Sequence, residues 1–124
     1  MSMEQNSALA ANTNDVDSVL GTWVNSNEKT QWIEKFTLLQ KNDKLLLHIY
    51  SSQSPQDWGE TEVNLFINRN SGDKAFWAKY NLGSVEALLA ANTNQGLWII
   101  AAFLQFKDTK QPNFLCREFY YRVG

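Results

Sequence analysis

The chain has 124 residues, a formal charge of -2 and a pI near 5.3, which makes one domain the default. Its 11 Lys and Arg are scattered without a basic run, which argues against a nucleic-acid partner. One cysteine, Cys116, excludes an intrachain disulfide and suits a reducing compartment, and no apolar run reaches the roughly 20 residues of a membrane helix.

Residues 1–17 are small and polar and are expected to form a disordered arm, with at most one helical turn around Ser7 to Ala11. The first twenty residues hold Glu4, Asp15 and Asp17 but no Lys or Arg, so they do not resemble a secretory signal. A cytoplasmic protein is expected. The folded domain is expected to run over 18–124.

Order begins at Val19 to Asn25, where Gly21 permits a bend and Trp23 brings a large ring to the first strand. Ser26 to Lys29 reads as a turn. Strands are predicted over Gln31 to Gln40 and Leu45 to Tyr50, joined by the polar turn Lys41-Asn42-Asp43. Ser51 to Gly59, with Pro55 and Trp58, reads as a long loop. Thr61 to Asn68 alternates Val63, Leu65 and Ile67 against Glu62, Asn64 and Phe66, a strand with one buried face. Arg69 to Asp73 is a hairpin loop, and Ala75 to Asn81 the next strand.

Val85 to Ala91 carries good helix formers behind Ser84, a residue suited to a helix cap. Strands on both sides, reached through short turns, favour strand here as well. Leu97 to Phe106 is the longest apolar run and is apolar on both alternating faces. It reads as the central strand. A loop around Pro112 leads to a last strand over Phe114 to Val123. About eight strands joined by short turns close most simply into an antiparallel up-and-down β-barrel, which removes exposed edges.

Gly21-Thr22-Trp23 at the first strand, followed by a meander and a late Arg, resembles the lipocalin and fatty-acid-binding superfamily, the calycins. The avidins, which share the barrel, are the second choice, through Gly21 to Asn25. The resemblance implies an Arg packed over the Trp23 ring, and Arg122 and Arg117 are the candidates. It also implies a calycin-like barrel that holds a small ligand. Later lipocalin motifs are not evident.

The candidate ligand-binding residues are His48, Tyr50, Trp58, Trp77, Tyr80 and Arg117. His48 and Tyr50 share a strand face, and Glu62 or Asn64 on the next strand is a candidate partner for the imidazole. Trp58 sits between Asp57 and Glu60 on a Gly/Pro loop, where it lines a binding lip or plugs a barrel end. A lone His and a lone Cys build no zinc site, and no cofactor motif is present. Cys116 reads as a small buried apolar residue.

Three readings follow. The first is a barrel that binds a small, largely apolar ligand through aromatic walls and polar tips. A second is a homodimeric interaction or structural barrel with a filled interior. In this reading the central strand's outer face is covered by a second subunit, taken to be the Trp98 face. An enzyme of cyclase or isomerase type, using His48 or an acidic residue, is the weakest, because no nucleophile, metal or phosphate motif appears. An open or a filled interior separates the first from the second.

Overall fold

A computed structural model describes residues 8–10, 13–108 and 110–124. They form one antiparallel sheet of ten strands, curled into a barrel-like wall. The strands are β1 (Ala8–Ala10), β2 (Gly21–Asn25), β3 (Ile33–Lys41), β4 (Lys44–Ser51), β5 (Asp57–Val63), β6 (Phe66–Asn68), β7 (Lys74–Asn81), β8 (Val85–Asn94), β9 (Leu97–Phe106) and β10 (Phe114–Arg122). A five-residue helix, α1 (Thr13–Asp17), precedes β2.

The spatial order is β1-β6-β7-β8-β9-β10-β2-β3-β4-β5. The meander is all-β and up-and-down, as expected. The register of β10 on β2, with Tyr121 opposite Val24, joins its last strand to its first long one. The part of the arm that is described is not a helical turn around Ser7 to Ala11. Instead Ala8–Ala10 pairs with β6 in extended form, and the helical residues lie further on. The rest of the arm expectation, over residues 1–7, 11 and 12, lies outside the described residues.

Local chemistry explains the hairpins. Asn42 and Asp43 both take positive φ, which matches a two-residue turn to the twist of β3 and β4. Gln95 and Gly96 do the same between β8 and β9. Val85–Asn94 is a strand along its whole length and pairs residue for residue with β9. The alternating burial of Val85, Ala87, Leu89 and Ala91 overrides the local helix propensity.

The expected strand Thr61 to Asn68 is instead two strands. β5 begins earlier, at Asp57, and ladders to β4; β6 ladders to β7 and β1. Burial still alternates through Val63, Leu65 and Ile67, so the side-chain period survives while the hydrogen-bonding partner changes at Asn64-Leu65. As a result β5 and β7 approach each other without a backbone ladder, leaving a seam in the wall.

Buried rings and aliphatic side chains line the interior. Trp23, Phe36, Phe76, Trp98 and Tyr120 form one ring cluster, with Trp98 edge-on to Trp23 and 4.9 Å from Phe76. Leu38, Leu47, Ile49, Leu89, Ile100 and Leu104 pack around them, all buried. Trp98 is 0% exposed. The outward face of the central strand is therefore the other one, carrying Leu97, Ala101 and Phe103. The expectation of a Trp98 surface is corrected on this point. Period-two alternation fixes which residues share a face but not which face turns inward.

Candidate functional site

The structure distributes the six candidate residues over three places. His48 and Tyr50 lie on the outer wall of β4, with stacked rings at 4.4 Å. The β4–β5 register sets Glu60 opposite His48, and a bulge between Ile49 and Tyr50 brings Asp57 beside the imidazole. His48 Nε2 is 2.6 Å from Asp57 Oδ1, and its Nδ1 is 3.9 Å from Glu60 Oε2. The expected partners Glu62 and Asn64 are not the ones used: Glu62 lies opposite Leu46, one step further along. Asp57 also accepts from the Gly59 amide at 2.8 Å. That amide, and then His48, hold its carboxyl below the usual carboxylate range. The Lys35 ammonium, on the neighbouring strand, lies 5.0 Å from the Tyr50 ring centroid.

Trp58 and Tyr80 point inward and meet edge to face across the seam at 5.4 Å. The Tyr80 hydroxyl donates to the Gly59 carbonyl at 3.0 Å and lies 3.1 Å from the Leu47 carbonyl. It ties β7 to β5 where no ladder does. Burial raises the Tyr80 phenol well above its usual range, and Asp57 and Glu60 add to the shift. Trp58 donates its indole N–H to the Pro55 carbonyl at 3.0 Å. Its ring is buried against Tyr80.

Trp77 and Arg117 lie on the outer wall, at opposite ends of one cross-strand row: Trp77, Ala90, Ala101, Arg117. Trp77 is 61% exposed. The next row holds Lys79, Leu88, Phe103 and Leu115. Phe103 and Leu115 are 46% and 59% exposed. A groove of about 600 Å³ opens on this second row, lined by Leu88, Phe103, Phe114 and Leu115 with Lys79, Glu86, Gln105 and Asn113 at its polar margins. Four adjacent strands thus present large apolar side chains outward.

Sequence reasoning named Trp77 and Arg117 but missed the second row. The signal was present as apolar residues at outward parity in three consecutive strands. Without the inward direction of any one strand, that parity reads equally well as core.

Arg122 rather than Arg117 covers Trp23, with its guanidinium 5.6 Å from the ring centroid. It also donates to the carbonyls of Ser18 and Leu20. Trp23 Nε1 donates to Val19 O at 3.0 Å. Gly21 sits at φ +125°, and a Cβ there would lie 2.5 Å from the Gly124 carbonyl oxygen.

Two polar features belong to the frame. Glu118 accepts from Asn25 Nδ2, Thr30 Oγ1 and Asn27 Nδ2 at 3.0, 2.6 and 3.1 Å and ties the β2–β3 connection to β10. Cys116 is half-buried beside it. Burial first, and then Glu118, push its thiol up to about 11, which suits a packing residue better than a nucleophile.

Among the described residues no group of His, Cys, Asp and Glu is placed to hold a metal ion, and no helix is long and apolar enough to cross a membrane. The fold and surface define a class: an antiparallel, barrel-like sheet with a packed interior and an apolar outer face on β7–β10. Comparison with protein-family models, curated proteins and solved structures gives no match to this chain.

Proposed function

We propose that this chain is an interaction barrel of calycin-like form that works through the outer face of β7–β10 rather than through its interior. The observation that carries the reading is the exposed row Leu88, Phe103 and Leu115, in register on three neighbouring strands. Contiguous apolar surface of this kind marks an interaction site. The ring cluster around Trp98 supports the other half of the reading, because it occupies the space an interior ligand would need. Gly21, Trp23 and the Arg122 guanidinium over the indole support the calycin likeness. A single half-buried cysteine suits the cytoplasmic setting that belongs to this reading.

A second reading has its own observation. The groove beside Phe103, at about 600 Å³, is of the size that takes a small, largely apolar ligand. Here the ligand is held on the outer wall, with Lys79 and Gln105 at its polar end.

Native mass spectrometry of the wild type and of Phe103→Asp tests both. The expected result is a retained partner, either protein or small molecule, that is lost in Phe103→Asp while the β-sheet circular dichroism is unchanged. A retained mass that is indifferent to Phe103→Asp would contradict the outer-face reading.

A further inference from the structure

Read across β7, β8, β9 and β10, one outer row runs large, small, small, long: Trp77, Ala90, Ala101, Arg117. Trp77 stands well out of the sheet, while the two alanines form a shallow floor beside it. Arg117, exposed and directly across from Ala101, walls the far side of that floor. A protruding ring and a low stretch of small side chains therefore lie on the same face of the same chain.

We propose that this face binds a second copy of the chain isologously, each Trp77 seating on the partner's Ala101 floor against the partner's Arg117. The inference rests on the outer-face reading above and names its partner. A two-fold axis is the operation that brings each of two such knobs to the other copy's hollow. The indole gains apolar burial on the alanines and a guanidinium beside its ring.

Charge and area agree. The face carries Lys79, Glu86 and Arg117, so it meets a copy of itself with both signs present rather than with one sign repeated. Trp77, Leu88, Phe103, Leu115 and Phe119 expose on the order of 500 Å² of apolar side chain, a large part of the ~800 Å² per partner of a standard interface. The polar margin supplies a rim.

Sedimentation velocity at concentrations up to about 100 μM tests it. Wild type is expected to self-associate reversibly. Trp77→Ala, and separately Ala101→Arg, which fills the floor, are expected to weaken association at least tenfold. Leu39→Ala, exposed on β3 and away from this face, is expected to leave it unchanged. Circular dichroism confirms that each variant is folded.

A wild type that stays monomeric throughout overturns the second-copy proposal. If that monomer still retains a small molecule that Phe103→Asp strips, the outer-face reading survives without it. A dimer indifferent to Trp77→Ala, Ala101→Arg and Phe103→Asp overturns both.

Discussion

Trp23 and Trp98 meet edge to face in the core, yet their indole N–H groups are held differently, and this sets up a paired test. Trp23 donates to the Val19 carbonyl and lies under Arg122. Trp98 Nε1 is buried and has no hydrogen-bond acceptor among the described residues. Replacing either indole by phenyl removes a similar volume from a packed interior. The cost is about 2 kcal/mol from lost transfer energy and the residual void. The polar balance then separates the two. Trp98→Phe also removes an unsatisfied buried donor worth about 1–3 kcal/mol, so its net cost falls near zero. Trp23→Phe instead loses a hydrogen bond of about 1 kcal/mol, strands the Val19 carbonyl and weakens the Arg122 stacking. Its cost rises to roughly 3–4 kcal/mol. Equilibrium urea unfolding at neutral pH reads the difference. With a slope of about 2 kcal/mol per molar, the two midpoints should differ by roughly 1 M or more. A Trp98→Phe variant as unstable as Trp23→Phe would refute this account of the core.

Three further outcomes are expected. Tyr80→Phe keeps the ring against Trp58 but loses the hydroxyl that ties β7 to β5; it should cost about 1–2 kcal/mol and raise hydrogen exchange in β5, and unchanged exchange would remove the seam's tie. Gly21→Ala combines a left-handed φ with a clash against the Gly124 backbone, so a loss of about 2 kcal/mol, seen as a lower thermal midpoint, is expected. Because the Asp57 carboxyl is held below its ordinary value of 3.8, its contribution is present above that value and is lost as pH falls through the lowered one. Asp57→Asn should therefore flatten the acid limb of the stability curve below about pH 4, and an identical acid limb would contradict the His48–Gly59 anchoring.

Strand positions were largely legible in the sequence, because strand and turn chemistry agree locally. The bounds of β9, Leu97–Phe106, follow from an apolar run closed by Gly96 on one side and Lys107-Asp108 on the other. β8 could be read as strand only from its neighbours, since Glu86 to Ala91 alone favours helix. The β5–β6 break was not legible: alternation continues unbroken through Asn64-Leu65, and only the partner strand changes.

The site was legible in pieces. His48 and Tyr50 share a face by parity, but their Asp57 and Glu60 partners depend on a register that a bulge shifts. The inward turn of Trp98 and the outward turn of Phe103 depend on which way the whole sheet curls, which no single strand encodes.

The central claim is that the outer face of β7–β10, and not the interior, makes this protein's contacts. Hydroxyl-radical footprinting at low and high protein concentration tests it most directly, with Leu39 as the internal reference. The account predicts that oxidation of Trp77, Phe103 and Leu115 falls on concentration while Leu39 is unchanged and Trp98 stays protected throughout. Equal oxidation of the outer row at every concentration, together with a reactive Trp98, would contradict it.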